Sequence, residues 1–565
     1  MIGLPETADA LRNATWQDVA PFYEELATRP LSRENIESWL ADWSRFESLL
    51  YEAGALANFA YSIDTADRDA EEAHLRFGSE IDPRAEEQRS KLQRRLVDLD
   101  YVRPGLEVIV RKFRNQLELF NEANVPLFAE LARLSAGWTK VIGAMTVDWD
   151  GQEKTPAQMW PYLEDTDRGV RERAFRSMFK PYIEQRDVLA DFFDRMYDVR
   201  QQVARNAGFE NYRDYIHREK NRFDYTPDDC FRFHEAVETA VRPAVHRLLE
   251  VRRKHLGVDR LRPWDQWVDP KGRERLKPYA EVGELISRAS GMFANVDPDF
   301  RGYFGTMADA NLLDLDNRKG KAPGGFCDSL PARNLPLIFM NAVGIDEDVR
   351  TLLHESGHAF HVFETAHLDL FFQRNPGSEM DEVASMSMEL LASPYLDRAH
   401  GGYYSEADTE RAKRALLERT VLFFTHCASV DALQQWIYTD PAGRDADARD
   451  QKWLELRRRF EGDVIDWSGL DAERIARWYF QPHFWEYPFY YIEYGIAQLG
   501  ALQVWRNSLR DRKAAVRQYR EALSLGATKS LPELYRAAGA RLIFDADGMR
   551  ELIDLAEETL SGLDA

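Results

Sequence analysis

Residues 352–361 read LLHESGHAFH, with His354 and His358 four positions apart and Glu355 directly after the first histidine. This spacing is the H-E-x-x-H signature of a metal-binding helix. On an α-helix, side chains four residues apart project from one face about 6 Å apart along the axis, so both imidazoles can bind one Zn²⁺ ion. His361 lies about 10 Å along the helix from His354, too far to bind the same ion, so we expect it to pack or to line the pocket.

The residues around the two histidines indicate the chemistry of the site. Zinc with three protein ligands keeps a fourth position for water and lowers the pKa of that water toward about 7. Glu355 points toward the same site without binding the metal, so it can activate the zinc-bound water for attack on a carbonyl. Apolar residues at Leu352, Leu353, Ala359 and Phe360 predict a buried helix. The pattern therefore predicts one zinc ion as cofactor and fits peptide-bond hydrolysis.

A third ligand is expected from the acidic stretch that follows the break at Pro376. The candidates are Glu379, Glu382 and Glu389. Helical spacing puts Glu382 and Glu389 on one face, and the choice between them depends on where the first helix ends. An end near Glu364 favours Glu382. The carboxylate that does not bind the metal could accept a hydrogen bond from a ligand histidine.

Length, composition and charge limit the class of protein. The chain has 565 residues, too many for a single hydrophobic core, so we expect two or more lobes. Apolar residues at 44% and charged residues at 30% are typical of a globular protein. A net charge of −22, with no dense basic patch, would repel a phosphate backbone, so nucleic acid is not an expected partner.

The N-terminal sequence and the cysteines predict a cytoplasmic protein. The start, MIGLPETADALRN, has neither a basic region nor an apolar region of the secretory type, and no apolar run reaches about 18 residues. We therefore expect no membrane association. The cysteines Cys230, Cys327 and Cys427 are odd in number and lie outside any CxxC pair, which favours free buried thiols.

The periodicity along the chain predicts a mostly helical protein with one sheet. Apolar residues at three and four spacing predict helices at Glu34–Tyr61, Arg84–Asp98 and Arg186–Ala207. The segment 148–156, DWDGQEKTP, reads as a break between helices. Residues 302–343 are richer in glycine and proline, and the apolar run 335–340 predicts a strand. We predict a helical N-terminal lobe, residues 1–195, and a catalytic domain, residues 196–565.

The motif and the acidic stretch together resemble the thimet oligopeptidase family of zinc metallopeptidases, specifically its oligoendopeptidase F branch. HESGHAFH from His354 is similar to the family's H-E-x-G-H-x-x-H. EVASMSME from Glu382 is similar to its third-ligand segment, with a second glutamate seven positions later. The resemblance implies that Glu382 is the third zinc ligand and that Glu389 supports the ligands without binding the metal.

Two further segments resemble the same branch. GKAPGGFC followed by LPLIFMN is similar to its glycine loop and edge strand, which implies that Gly324, Gly325 and Phe326 pair with the backbone of an extended substrate. PHFWEYPFYYIEYG from Pro482 is similar to a segment whose histidine and tyrosines face the metal and the scissile carbonyl. It differs from the thimet branch after His483: that branch has a glycine pair, whereas this sequence has Phe484 and Trp485.

The second segment implies roles for one histidine and four tyrosines. His483, Tyr491 and Tyr494 are the implied catalytic residues, each able to donate a hydrogen bond to the oxyanion. Tyr487 and Tyr490 are the implied substrate-binding residues, with Tyr490 competing for one oxyanion role. Helical spacing predicts that Pro488 lies in a first helical turn and that Tyr487, Tyr491, Tyr494 and Gln498 share one face.

The resemblance implies a mainly α fold, with two helical lobes enclosing a deep substrate channel and a small β-sheet near the active site. The expected function is a zinc metalloendopeptidase that hydrolyses internal bonds of short unfolded peptides. A metallocarboxypeptidase is the alternative, with Arg333 or Lys319 holding the terminal carboxylate. A non-catalytic peptide-binding protein is less expected, because binding needs no general base. Short peptides are the expected partners, and the sequence does not specify the oligomeric state.

Overall fold

The computed structural model describes residues 3–322 and 324–563, and most of these residues are helical. The α-helices are α1 (Trp16–Thr28), α2 (Ile36–Ile63), α3 (Arg68–Arg76), α4 (Asp82–Asp98), α5 (Glu107–Leu119), α6 (Val125–Gly143), α7 (Arg168–Glu184), α8 (Arg186–Asn206), α9 (Tyr212–Glu219), α10 (Pro227–Ala236), α11 (Arg242–Leu256), α12 (Val282–Val296), α13 (Pro298–Asp309), α14 (Asp346–Thr365), α15 (Ser378–Ala392), α16 (Glu406–Thr439), α17 (Ala446–Glu461), α18 (Asp471–Tyr479), α19 (Tyr491–Arg510), α20 (Arg512–Ser524), α21 (Leu531–Ala537) and α22 (Ala546–Gly562). The strands are β1 (Val147–Trp149), β2 (Gln152–Lys154), β3 (Leu313–Asp316), β4 (Phe326–Leu330) and β5 (Leu335–Ala342). The predicted mainly α fold is confirmed, and α2, α4 and α8 match the three helices predicted from periodicity.

The chain divides into two compact units, each built from three segments. The first unit comprises Met1–Glu118, Lys277–Ala412 and Gly500–Leu542. The second unit comprises Leu119–Leu276, Lys413–Leu499 and Ile543–Ala565. The predicted domain boundary at residues 195 and 196 lies inside α8, within the second unit. The units therefore do not coincide with the predicted lobe and catalytic domain, and those domains stay a prediction.

The first unit has a continuous apolar core around α2. Trp39, Trp43 and Phe46 on this helix are fully buried. The rings of Trp39 and Trp43 lie 5.2 Å apart, and the Trp43 indole nitrogen donates a hydrogen bond to Glu47. Buried aromatic side chains of this size contribute much of the apolar surface that stabilises a core.

A three-stranded sheet in the first unit has the order β3-β5-β4. β5 pairs in parallel with β3 and antiparallel with β4, which places Phe326 opposite Phe339. The strand predicted for residues 335–340 is confirmed, but it is the central strand of the sheet. The edge strands are β3 and β4, so the expectation of an edge strand at LPLIFMN is wrong. Residues 336–340 are all buried, as expected for a strand covered on both faces.

A β-hairpin replaces the break predicted at residues 148–156. β1 and β2 pair antiparallel, with Trp149 opposite Gln152. Asp150 and Gly151 form the turn, and both have positive φ angles, 54° and 79°. An Asp-Gly pair is a strong hairpin signal because both residues tolerate this conformation, so the sequence did carry the information.

Among its described residues, the regular secondary structure of the second unit is helical, apart from this hairpin and one isolated bridge. Its core contains a stack of indoles, with the rings of Trp478 and Trp485 parallel and 5.9 Å apart. All three cysteines are free, as predicted; Cys230 and Cys427 are buried and Cys327 is half-buried. Across the described residues, we find no helix with the length and apolar character that crossing a bilayer requires.

Candidate metal centre

The start of α14 is fixed by a side-chain cap directly after β5. The Asp348 carboxylate accepts hydrogen bonds from the backbone N–H groups of Val343, Gly344 and Ile345, at 2.7–2.9 Å. The Tyr279 hydroxyl donates to the same carboxylate. An acidic residue in the first turn also interacts favourably with the helix dipole. The motif helix therefore begins at a defined position relative to the sheet, against which it packs.

Apolar contacts hold the motif helix in the first unit. Leu352, Leu353, Ala359 and Phe360 are buried, as the sequence predicted. The Phe360 ring is parallel to that of Phe300, with centroids 4.7 Å apart. These contacts lie away from the imidazoles of the motif and set the rotation of α14 about its axis.

Gly357, the glycine of HESGH, lies where α14 crosses α15. A Cβ atom at this position would lie 2.5 Å from the backbone of Ala384 and Ser385, closer than any side chain tolerates. The Tyr519 hydroxyl donates a hydrogen bond of 2.7 Å to the Ala384 carbonyl at the same crossing. The absence of a side chain at Gly357 therefore allows the two helices to approach and brings Glu382 toward the histidines.

Three donor atoms from α14 and α15 converge on one point. Ligand atoms of His354, His358 and Glu382 all lie within 4.8 Å of one another. The Glu382 Oε2 atom is 3.4 Å from His354 Nε2 and 3.9 Å from His358 Nε2. Ligands about 2.0–2.2 Å from a tetrahedral zinc ion lie about 3.3–3.6 Å apart, so this donor set fits zinc with small adjustments.

The other acidic candidates take different positions. Glu379 is not part of the donor group found among the described residues. The motif helix α14 ends at Thr365, close to the end near Glu364 that favours Glu382 as the third ligand. His361 is buried, and its Nδ1 atom lies 3.2 Å from Asp381. His361 therefore packs, as expected.

Side-chain hydrogen bonds orient two of the three donors. Glu389 Oε1 lies 2.7 Å from His354 Nδ1, and its Oε2 lies 3.4 Å from Arg350. The Ser385 hydroxyl donates to Glu382 Oε2 at 3.0 Å. A hydrogen bond at Nδ1 leaves His354 Nε2 as the atom that faces Glu382.

The charges around His354 favour a cation. Burial opposes protonation of the imidazole, but the Glu382 and Glu389 carboxylates outweigh it and raise the pKa of His354. Burial alone would raise the pKa of Glu389, but Arg350 and His354 lower it below its usual value. Two carboxylates beside a pair of imidazoles form an electrostatic environment that a divalent cation stabilises.

Glu355 lies on the side of α14 that faces β4. Burial, followed by the charge on Glu355, raises the pKa of the Cys327 thiol well above its usual value. Because Cys327 is the second residue of β4, the Glu355 carboxylate lies close to this edge strand. Glu355 itself is buried.

The glycine segment leads into the edge strand. Gly324 has a φ of 96°, a conformation that favours glycine, and its carbonyl accepts a hydrogen bond of 2.9 Å from Asn341. The Phe326 ring stacks on Phe339, with centroids 5.0 Å apart. A Cβ atom at Gly325 would lie 3.3 Å from the Phe339 carbonyl. The three predicted substrate-binding residues of this segment therefore lie at the start of β4.

His483 and the four predicted tyrosines form a cluster in the second unit. The His483 ring lies 4.7 Å from Tyr491, 5.8 Å from Tyr494, 6.0 Å from Tyr490 and 6.1 Å from Tyr487, measured between centroids. Tyr491 is buried, whereas Tyr487 is 58% exposed. The structure thus brings together all five residues that the segment from Pro482 implied.

The predicted helical turn at Pro488 is wrong. α19 begins at Tyr491, and Tyr487 and Pro488 lie in the turn before it. Phe489 has a φ of 62°, which no α-helix accommodates, and Arg222 donates a hydrogen bond to its carbonyl. Tyr487 therefore does not share a helical face with Tyr491.

Several residues that support the site are not among those predicted from the sequence. They are Arg350, Ser385, Tyr519 and Gln481. Arg350 precedes His354 by four residues, a spacing that does indicate a shared helical face. Tyr519 carries no such signal, because it comes from α20, far along the chain.

Comparison with known proteins identifies the family. The profile of Peptidase family M3 matches residues 161–553, and that of the Peptidase M3 N-terminal domain matches residues 11–107. The chain belongs to peptidase family M3. The larger match in this M3 chain includes the motif helix α14, the candidate ligand Glu382 and His483. The resemblance to the thimet oligopeptidase family and its oligoendopeptidase F branch is confirmed.

Relatives of this M3 chain include named oligopeptidases. Oligopeptidase PepF of Bacillus subtilis (strain 168) is 24% identical over 416 residues, which cover 69% of this chain and 57% of the relative. An oligoendopeptidase F homolog of Lactococcus lactis is 22% identical over 421 residues, covering 71% of this chain and 65% of the relative. The chain thus spans about three-fifths of these curated relatives. The solved structure of PZ peptidase A with inhibitor 2 superposes with a TM-score of 0.90 at 25% identity, covering 98% of both chains.

Proposed function

We propose that this M3 chain is a zinc-dependent oligoendopeptidase that cuts internal bonds of short unfolded peptides. The observation that carries the proposal is the convergence of His354, His358 and Glu382, with Glu355 next to the first histidine. The names of the relatives, oligopeptidase PepF and oligoendopeptidase F homolog, support the substrate class.

His354, His358 and Glu382 would hold the metal, and nitrogen and carboxylate donors in this number suit zinc. When bound, zinc supplies Lewis acidity, which acidifies water and polarises a carbonyl oxygen. Glu389 and Ser385 would keep the donors oriented, as their hydrogen bonds to His354 and Glu382 suggest. The metal assignment rests on the chemistry of these donors.

Glu355 would act as the general base and then as the general acid. It lies one residue after a ligand and on the side of α14 toward β4. From this position it would accept a proton from the attacking water and deliver it to the departing amine.

The edge of β4 would bind the substrate backbone. Across the described residues, β4 pairs with no strand other than β5, so the backbone groups along its other edge are not used by a strand ladder. Extended peptides bind such edges through main-chain hydrogen bonds, without requiring particular side chains. Phe326 is the first residue of this strand and Gly324 and Gly325 directly precede it, which supports their assignment to substrate binding.

His483, Tyr491 and Tyr494 would donate hydrogen bonds to the oxyanion, with Tyr490 as a competitor for one role. Burial raises the pKa of Tyr491 far above neutrality, so its phenol keeps the hydrogen that a donor needs. These roles rest on the family resemblance and on the cluster that the rings form around His483. Tyr487, at the exposed side of the cluster, would contact the substrate.

The carboxypeptidase alternative is weaker because Arg333 already has acidic partners. Its Nε atom lies 2.7 Å from Glu52, and a terminal nitrogen lies 2.8 Å from Asp9. A guanidinium held by two carboxylates is poorly placed to capture a peptide's terminal carboxylate. Lys319 is exposed and remains a candidate for that role.

An internally quenched peptide with both ends blocked tests the proposal. An endopeptidase cuts this peptide, a carboxypeptidase does not, and a binding protein leaves it whole. We expect cleavage with zinc present, loss of cleavage after chelation, and recovery when zinc is returned. A series of increasing peptide length, with a folded protein as the last member, tests the restriction to short substrates. No cleavage by the zinc-loaded protein would overturn the proposal.

A cytoplasmic location is part of the same proposal. Its support is the presence of three free cysteines, since disulfides are rare in reducing compartments. Cell fractionation with an antibody to the protein would test this location.

A further inference from the structure

The Gln481 carboxamide in the second unit lies between two imidazoles. Its Oε1 atom is 3.4 Å from Nε2 of His426, on α16. Its Nε2 atom is 2.8 Å from Nδ1 of His483. The amide therefore links a histidine with no assigned role to the histidine proposed as an oxyanion donor.

Arg457, on α17, fixes the direction of this chain of hydrogen bonds. Its Nη1 atom lies 2.8 Å from His426 Nδ1. A guanidinium can only donate, so His426 must accept at Nδ1. Burial, and then the charges of Arg477 and Arg474, lower the pKa of this guanidinium below its usual value, while Glu461 contacts it as an acidic partner. Burial, followed by the charges of Arg457 and Arg477, lowers the pKa of His426 well below its usual value, so the imidazole is neutral.

The hydrogen-bonding role of each group in this chain then determines which atom of the next group donates and which accepts. A neutral imidazole that accepts at Nδ1 carries its hydrogen on Nε2, so His426 donates to the Gln481 carbonyl oxygen. That contact orients the amide, and its NH₂ group faces His483. His483 must accept at Nδ1, because a hydrogen there would meet the amide hydrogens. The remaining ring hydrogen of His483 lies on Nε2.

The surroundings hold both rings and the backbone in place. The Tyr491 ring stands edge-on to His483 and to His426, with centroid distances of 4.7 Å and 5.3 Å. The Gln434 side chain donates a hydrogen bond of 2.7 Å to the His483 carbonyl and accepts one from the Phe489 N–H. Neither imidazole can therefore rotate without breaking several contacts.

We propose that Arg457, His426 and Gln481 form a one-way hydrogen-bond relay that keeps the hydrogen of His483 on Nε2. The relay makes His483 a hydrogen-bond donor to the substrate oxyanion, a role that rests on the proposed peptidase function. The three relay members are positioning residues, since they act through His483. Their cationic end is buried, so solvent cannot reverse the direction of the relay.

The tautomer of His483 can be measured without activity. Histidine labelled with ¹⁵N, observed through two-bond ¹H–¹⁵N correlations at about pH 8, separates protonated from unprotonated ring nitrogens, since a usual histidine pKa is about 6.5. His483→Gln assigns the signal. We expect an unprotonated Nδ1 and a protonated Nε2. The opposite pattern in the wild-type protein would overturn the proposal, whatever the enzyme assay shows.

Gln481→Glu tests the link to turnover. A carboxylate has no hydrogen to donate, so the neutral His483 ring must move its hydrogen from Nε2 to Nδ1 to face it. We expect the Nδ1 signal to become protonated and kcat to fall by about 10²-fold, as for loss of one oxyanion donor, while KM changes little. Gln202→Glu is the matched control, because the side chain of Gln202 bonds Asn206 and Arg205 of its own helix α8 and lies outside the relay.

A second pair of variants covers the cationic end of the relay. Arg457→Lys keeps a donor near His426, whereas Arg457→Leu removes it, so the lysine variant should retain more turnover. A folded Gln481→Glu protein with unchanged kcat would overturn the proposal. If that variant does not fold, the wild-type tautomer decides. If the wild-type protein cuts no peptide, the proposed function is wrong. The tautomer measurement then still tests the relay by itself.

Discussion

The Glu389 carboxylate lies 2.7 Å from His354 Nδ1, on the side of the imidazole opposite the atom that faces Glu382. A hydrogen bond at Nδ1 fixes the ring tautomer and presents the Nε2 lone pair to a metal. Glu389 in turn contacts Arg350. The two glutamates that sequence alone left open thus lie at opposite nitrogens of one histidine.

Glu389→Gln should weaken zinc binding without abolishing it. The amide is a weaker acceptor than the carboxylate and leaves Arg350 without this partner, so we expect the affinity to fall by about 10–100-fold. Zinc titration against a competing chelator measures the change. Glu347→Gln is the control, because Glu347 contacts Arg350 and lies outside the donor group found among the described residues, and it should change the affinity little. Unchanged affinity in Glu389→Gln would contradict this role.

Glu382→Ala and Glu355→Gln should separate metal binding from proton transfer. We expect Glu382→Ala to lose zinc, because two imidazoles alone bind it weakly. We expect Glu355→Gln to keep zinc and lose nearly all turnover, because the amide cannot accept the proton. Metal analysis of both purified proteins, with the peptide assay, gives the comparison. Full zinc occupancy in Glu382→Ala would move the ligand assignment to Glu389.

Gly357→Ala should force α14 and α15 apart. The added Cβ would lie 2.5 Å from backbone atoms of α15, and we expect a loss of about 1–3 kcal/mol in the free energy of unfolding, together with weaker zinc binding. Gly302→Ala in α13 is the control, because among the described residues no atom outside its own stretch of helix lies within 4 Å of the added Cβ. That change should be neutral or stabilising by up to about 1 kcal/mol. Similar melting temperatures for both variants would argue against a tight crossing.

His217 should make the stability of the metal-free protein fall in mild acid. Burial, and then the charge of Arg222, lower the pKa of this histidine to about 4, from a usual value of 6.5. The unfolded chain therefore takes up a proton between these values and the folded chain does not. The stabilisation is complete above about pH 6.5 and decreases toward pH 4, by up to about 3 kcal/mol at 1.4 kcal/mol per unit.

His217→Gln removes this titration and can keep a donor to the Tyr225 carbonyl, which lies 2.8 Å from His217 Nε2. Chemical unfolding at several pH values should show a shallower decrease for the variant than for the wild-type protein. Parallel curves would assign the acid sensitivity to other groups.

Local periodicity predicted α2, α4, α8 and the strand at residues 335–340, because their patterns are determined by nearby residues. The motif spacing likewise predicted His354, His358 and Glu355. The hairpin at Asp150 was missed because the segment was interpreted only as a break, although its turn residues were readable. The helical face through Tyr487 was wrong because the left-handed backbone at Phe489 is held by Arg222, a contact from another element.

The proposed third ligand and the relay both depend on contacts between separate elements, which the sequence does not specify. The choice of Glu382 depended on the end of α14, which spacing within either helix does not determine. His426, Arg457 and Gln481 come from three separate elements, and only their packing brings them to His483. No pattern within the segment from Pro482 specifies those contacts.

The backbone crossing at Gly357 also affects how the ion arrives. The contact between α14 and α15 at Gly357 does not involve the ion, so we expect it to hold the donors of both helices in position in the metal-free protein as well. Binding of the ion should then cost little chain entropy. We expect the exchange rate of the ion to depend on solvent access to the ligands and on the breaking of metal–ligand bonds, without a refolding step. The empty and loaded proteins should then give nearly the same backbone amide exchange in α14 and α15.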